Sequence, residues 1–193
     1  MTIVYQDERI VVAVKPNGVL STDEPGGMPS LLRQTLGTDC IRTVHRLDAQ
    51  TGGLMVFARS RKAAALLSEQ VRERQFSKGY LAVVHGVPQP PAGQLRDLLG
   101  RDSVRRVTFV ADTPSAETRE ALLDYETLVQ FASRGMPLWG DRKYGLPKED
   151  ASPLALWACQ LSFTHPQTGK EMAFTSLPPE IEPWTQFARI KHI

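Results

Sequence analysis

The sequence predicts a mixed α+β domain, rich in strands and poor in helices. Two observations carry this. Short β-branched or alternating apolar runs recur along the chain between Gly, Pro, Asn and Asp clusters, and only two or three segments have helical spacing. At 193 residues, with 41% hydrophobic and 23% charged side chains, the chain can bury a sizeable core as one domain or a small two-lobed one. Lys and Arg number 23 against 21 Asp and Glu. The resulting net charge of +2 neither demands nor excludes a nucleic-acid partner, because a basic face fits within a balanced total.

The elements follow in order. Arg9-Ile10-Val11-Val12-Ala13-Val14-Lys15 reads as a strand, punctuated by Pro16-Asn17-Gly18, and the residues before it already have a strand pattern. Residues 21–29 form a loop. Ser30 is the expected cap of a short helix over 31–36, ended by Gly37. An alternating strand, Ile41-Arg42-Thr43-Val44-His45-Arg46-Leu47, breaks at Asp48-Ala49-Gln50-Thr51-Gly52-Gly53. Leu54-Met55-Val56-Phe57-Ala58 resumes as a strand buried on both faces. Ser60 caps a helix running to about Gln75, with Ala63, Leu66, Leu67 and Val71 on its inner stripe. A strand follows over 78–86. Residues 94–119 are polar and weakly periodic, with a short strand at 107–110, and another strand spans 121–128. Leu154–Phe163 and Glu171–Phe174 flank His165-Pro166-Gln167-Thr168-Gly169 as a hairpin, and Pro183-Trp184 opens a terminal helix.

Several classes lack support. No run approaches the roughly 20 apolar residues that span a bilayer. Cys40 and Cys159 lie far apart with no metal spacing and no secretory leader before them, which points to a reducing cytoplasm and inert thiols. There is no Walker loop, dinucleotide-binding glycine fingerprint, G-x-S-x-G elbow or H-E-x-x-H.

Asp48 is the leading candidate for chemistry. It ends a strand beside a Thr-Gly-Gly turn, where the glycines permit close approach of a ligand or another backbone. The competing reading is an Asx-turn residue with no catalytic part. Arg46, two residues upstream, faces the same side of a strand, either as a structural ion pair with Asp48 or as a partner in binding. Tyr80 is a third candidate, against a core aromatic with a satisfied hydroxyl. His45 points the other way and reads as structural.

Together the segments resemble the RluA-type RNA pseudouridine synthases. Lys15-Pro16-Asn17-Gly18-Val19 is similar to that family's first motif. His45-Arg46-Leu47-Asp48-Ala49-Gln50-Thr51-Gly52-Gly53-Leu54 is similar to the second, where Ser is more frequent than Gly at position 52. Lys78-Gly79-Tyr80-Leu81-Ala82, Gly135-Met136-Pro137-Leu138-Trp139-Gly140-Asp141-Arg142-Lys143-Tyr144-Gly145 and Leu161-Ser162-Phe163-Thr164-His165-Pro166 follow in register. The resemblance implies a largely antiparallel mixed sheet divided by a central catalytic cleft, with few flanking helices, as one catalytic domain over residues 1–193. It implies isomerisation of uridine in structured RNA, ribosomal or transfer, without cofactor or metal. Asp48 becomes the catalytic carboxylate and Tyr80 the residue that stacks on uracil. Arg46 enters the space left by the flipped nucleotide, with Thr51 and Gly52 also at the substrate.

The chain departs from the family in two places. No S4-like module precedes Lys15. Between Gln130 and Phe131 a strand with a Gly-Arg-Thr-His-Gln-Ile-Arg-like motif is missing, and with it the arginine expected to pair with the catalytic aspartate. Either the natural chain carries a further segment there, or the strand is deleted and the protein is an inactive RNA-binding relative. Intact-mass measurement separates them: a value matching the 21.4 kDa of this sequence would exclude the first. A glycosidase-like carboxylate pair is a third reading, and no second carboxylate is comparably placed. Arg59, Arg61, Lys62, Arg72, Arg74 and Lys78 form one basic cluster, and Arg101, Arg105 and Arg106 a second. Each is a solvated face or an RNA-phosphate contact.

Overall fold

The computed structural model describes residues 1–86, 90–104, 107–126, 138–141 and 153–186. They form two compact units, one of residues 1–84 with 137–193 and one of residues 85–136. The junction of Gln130 with Phe131, where the family strand is missing from the sequence, the glycine-rich motif apart from Leu138–Asp141, and Arg105 and Arg106 lie outside the described residues.

The larger unit is built on a seven-stranded mixed sheet. Strands β1 (Thr2–Gln6) and β2 (Ile10–Lys15) form an antiparallel hairpin, and β2 pairs in turn with β4 (Gly52–Ala58). β3 (Arg42–Thr43) adds two residues beside Phe57 and Ala58. β9 (Leu156–Thr164) receives β5 (Ser77–Ala82) along one edge. Its other edge carries a two-residue parallel contact with β4, then β10 (Glu171–Thr175).

β2 and β4 explain why the sheet has two covered faces. Alternate side chains point to opposite sides. Ile10, Val12, Leu54, Val56 and Ala58 share one cluster with Ala63 and Leu67 of helix α2 (Arg61–Arg72). Val11, Ala13, Met55 and Phe57 share the other with Met28 and Leu32 of helix α1 (Met28–Leu36). Both helices thus sandwich these strands, and β4 is buried at every position, as its unbroken apolar run predicts. Truncating one of these core side chains costs roughly 2–5 kcal/mol.

The helix ends differ slightly from the sequence reading. Ser60 caps α2, accepting from Ala63 N at 3.1 Å. That helix stops at Arg72 rather than Gln75 because Arg74 turns left-handed, at φ 57°. α1 starts two residues before Ser30, with extended Gly27 as its cap and Pro29 in the first turn, where a missing N–H costs nothing. Gly37 ends it in the left-handed conformation.

The second unit was only partly foreseen. Its three-stranded antiparallel sheet, in the order β7 (Val107–Val110), β6 (Ala92–Asp102), β8 (Arg119–Glu126), includes an eleven-residue strand in the stretch read as polar and aperiodic. β6 is half-buried or exposed nearly throughout, so no face imposes a period of two. Pairing with β8 and polar contacts such as Arg96–Glu120 and Gln94–Asp124 define it instead. Among the described residues no helix is long and apolar enough to cross a membrane.

Candidate active site

The candidate residues meet at the end of β4, on a segment that is extended without being a ladder strand. Only Arg42 and Thr43 pair with β4. The expected strand through Leu47 is absent because the backbone of residues 45–51 finds other partners. Ser21 Oγ donates to Leu47 O at 2.6 Å and accepts from Leu47 N at 3.1 Å. Thr43 Oγ1 in turn donates to Ser21 O. The ammonium of Lys15, wholly buried at the end of β2, donates to Pro16 O, Val19 O and Ala49 O at 3.0, 2.6 and 2.9 Å. Gly18 N also donates to Ala49 O, and Asn17 Nδ2 to Gln50 O at 2.7 Å. Thr51 N closes the turn on Asp48 O at 3.0 Å.

This pinning sorts the side chains. His45, Leu47 and Thr51 are buried, whereas Arg46 and Asp48 are exposed. The alternation expected of a strand is therefore kept, and Arg46 and Asp48 both reach solvent. They form no ion pair with each other or with any other described residue, so the structural-pair reading of Arg46 fails. The family arginine that would face Asp48 belongs to the motif that the sequence lacks between Gln130 and Phe131.

Behind the turn lie the two glycines. β4 runs parallel to β9 there, Gly52 beside Trp157 and Gly53 beside Ala158. A Cβ on Gly52 would stand 2.3 Å from the Trp157 ring and 2.5 Å from Asn17 Oδ1. On Gly53, at φ 119°, it would meet the Ala158 backbone. The serine more frequent at position 52 in the resembled family has no room beneath this tryptophan. Thr51, at 3% exposure, and Gly52 thus belong to the support of the turn rather than to its accessible side.

Tyr80, on β5, is 43% exposed, an unusual state for a tyrosine with only a packing role. Partial burial raises its phenol pKa, and the negative charge of Asp48 raises it further, so the hydroxyl keeps its proton at neutral pH. Asp48 acts on Lys15 in the opposite sense. Burial lowers the ammonium pKa to about 8, and the carboxylate opposes that shift. One carboxylate is thus felt by two groups, a protonated phenol and a buried ammonium.

His45 is structural, as expected. Its Nε2 accepts from Val56 N at 3.1 Å, and its ring meets the Phe76 edge. Burial, followed by the Lys78 charge, pushes its pKa down to about 3, so the ring is neutral with the proton on Nδ1. Sequence reasoning assigned no role to Lys15, Asn17 or Ser21. For Lys15, an ammonium at the end of an otherwise apolar strand was the available signal.

The arrangement offers an exposed carboxylate on a rigid turn, a neutral phenol nearby and an unpaired guanidinium alongside. Among the described residues no group of three or more His, Cys, Asp or Glu gathers to hold a metal ion. Comparison with known proteins gives the site its context. A family profile described as RNA pseudouridylate synthase matches residues 9–171. The chain belongs to the RNA pseudouridylate synthase family. It is similar to the dual-specificity RNA pseudouridine synthase RluA of Haemophilus influenzae, 32% identical over 206 aligned positions that cover 91% of this chain and 92% of that one. The RluA protein of Escherichia coli is also 32% identical, with 90% of this chain and 91% of that one covered. Those 206 positions exceed the whole of this 193-residue chain, so the Haemophilus relative carries residues that this one lacks.

Solved structures agree on the fold. Human RNA pseudouridylate synthase domain-containing protein 1 superposes with a TM-score of 0.77 at 21% identity, covering 94% of this chain and 84% of that one. Domain-containing protein 4 gives 0.73 at 22%, covering 92% and 88%. The chain is an RNA pseudouridine synthase of the RluA type, an isomerase that converts uridine in RNA to pseudouridine.

Proposed function

We propose that this synthase acts on structured ribosomal or transfer RNA with Asp48 as its catalytic carboxylate. The observation that carries the assignment is the contrast at residues 45–51. The backbone groups Leu47 N and O, Ala49 O and Gln50 O are held by Ser21, Lys15, Gly18 and Asn17, while the Asp48 carboxylate is exposed and pairs with no described residue. A side chain that merely capped the turn would accept a hydrogen bond from it. A reacting group needs the reverse, a fixed position and free oxygens.

Tyr80 stacks on the extruded uracil and supplies a protonated hydroxyl beside the carboxylate. Arg46 fills the place the base leaves, offsetting part of the few kcal/mol lost on unstacking. Thr51 and Gly52 act as the frame that holds Asp48 in place. The reaction cleaves the bond from ribose to ring nitrogen, turns the base and joins ribose to carbon 5, with no atoms gained or lost. The RluA relatives are named dual-specificity RNA pseudouridine synthases, which supports RNA rather than a free nucleoside as the substrate.

The test is a carbodiimide primer-extension map of pseudouridine in total RNA from cells with and without the gene. A stop that vanishes on deletion, and returns with the wild type but not with Asp48→Ala, supports the assignment. Restoration by Asp48→Ala overturns it.

A further inference from the structure

A groove of about 730 Å³ opens beside the turn, lined by α1, by the segment from Asp39 to Arg46 and by Lys78. That volume accommodates a nucleotide-sized group. Four cations line it, Arg33, Arg42, Arg46 and Lys78, against two carboxylates, Asp23 and Asp39. Arg33 holds Asp23 in a two-point ion pair at 3.0 and 2.5 Å. Arg42, Arg46 and Lys78 pair with no carboxylate among the described residues. Three cations outside any such pair, against the one remaining carboxylate Asp39, leave a net positive field that a bound anion neutralises.

The wall also contains an unmet donor. His45, 7% exposed, lines the groove and uses Nε2 to accept from Val56 N, so Nδ1 bears the proton and has no partner. A buried donor left unsatisfied is costly and favours any acceptor brought to it.

We propose that this groove is a phosphodiester subsite, which holds the RNA backbone next to the target uridine on Arg42 and Lys78, with Arg46 at its rim left to fill the place of the base. The inference rests on the RNA-modifying reading above. Its position supports it: Arg46 is two residues from Asp48, and Lys78 is two residues from Tyr80. A nucleotide displaced toward Asp48 leaves its neighbours' phosphates beside the turn, and the groove that Arg42 and Lys78 line adjoins it through Arg46. Arg42, on β3, is the member farthest along the chain from the chemistry, so it isolates backbone binding from catalysis.

The experiment compares wild type, Arg42→Gln and, as a control, Lys170→Gln in the distant β9–β10 turn. The RNA is the total rRNA and tRNA pool from cells lacking the gene, assayed for conversion and for binding across a salt series. Arg42→Gln should raise KM about tenfold with kcat unchanged, since a charged contact is lost that ground state and transition state share. The slope of log affinity against log salt should become shallower by roughly 0.7 to 0.9, the value for one phosphate contact. Lys170→Gln should match wild type in both.

If wild type converts uridine and Arg42→Gln is indistinguishable from it, the subsite is refuted while the catalytic reading stands. An equal loss in Lys170→Gln shows a general charge effect and refutes the subsite too. If wild type converts nothing yet Arg42→Gln alone binds more weakly with the shallower slope, the subsite stands and the catalytic reading falls.

Discussion

Acid should unfold this protein through His45. The ring is 7% exposed, and its Nε2 is the acceptor for Val56 N–H, a donor on the central strand β4. Protonation would turn that acceptor into a second donor facing the Val56 N–H and place a charge in the core near Lys78. The folded pKa is accordingly pushed down to about 3, by burial first and by Lys78 second. An unfolded histidine titrates near 6.5. Above that pH both states are neutral and the contribution is fully present. As pH falls below 6.5 the unfolded state takes up a proton that the folded state refuses, so stability drops until about pH 3. One pH unit corresponds to about 1.4 kcal/mol, so moving from pH 7.5 to 5.0 costs roughly 2 kcal/mol. Urea unfolding at the two pH values measures the loss. Other titrating groups contribute, so the quantity to read is the difference from His45→Gln, whose amide oxygen can accept from Val56 N but does not titrate. Wild type should lose roughly 2 kcal/mol more than the variant. Equal losses in both would refute the buried, neutral imidazole.

Other perturbations bear on the site. Asp48→Asn should abolish turnover while the urea midpoint moves little, since the exposed carboxylate supports no core packing; unfolding of the variant at 25 °C would mark Asp48 as structural. Tyr80→Phe should keep more activity than Tyr80→Leu in single-turnover assays, because stacking survives in Phe; equal losses would remove the stacking role. Gly52→Ser should destabilise by roughly 1–3 kcal/mol through the clash with Trp157 and Asn17. Adding Trp157→Leu should recover part of that in a double-mutant cycle, and strict additivity would deny the contact. Ser21→Ala should cost about 1–3 kcal/mol by leaving buried Leu47 N and O without their partner, read from the same urea curves.

The larger unit was legible wherever burial imposes a period. β2, β4 and α2 were read within a few residues because their faces are fixed by two cores, and a slip of one residue would turn every apolar side chain outward. β6 has no such constraint. Gln94, Arg96, Asp97 and Arg101 are exposed, and most of the pairing that makes this stretch a strand lies with β8, from Leu99 with Arg119 out to Ala92 with Glu126. No local pattern records a partner at that distance. The segment from Val44 to Leu47 shows the converse error. Its alternation is that of a strand, yet its hydrogen bonds go to Ser21 and, through the His45 ring, to Val56 within β4.

The two sides of that segment account for what the site reading found and missed. Arg46 and Asp48 were accessible to sequence reasoning because their usefulness lies in their own chemistry, a guanidinium and a carboxylate set two apart. The groups that hold them are defined by partners, and those are remote: Lys15 meets Ala49 across 34 positions, and Ser21 meets Leu47 across 26. A buried lysine nevertheless has few options. Three donors need three acceptors, and the desolvated charge is tolerable only where backbone dipoles or a carboxylate face it. The Pro16–Val19 turn supplies two carbonyls, the Asp48–Thr51 turn supplies the third, and Asp48 lies close enough to favour the charge. The ammonium can therefore be satisfied only when both turns are in place. The requirement that stabilises the buried charge is also the one that fixes the backbone carrying the exposed carboxylate.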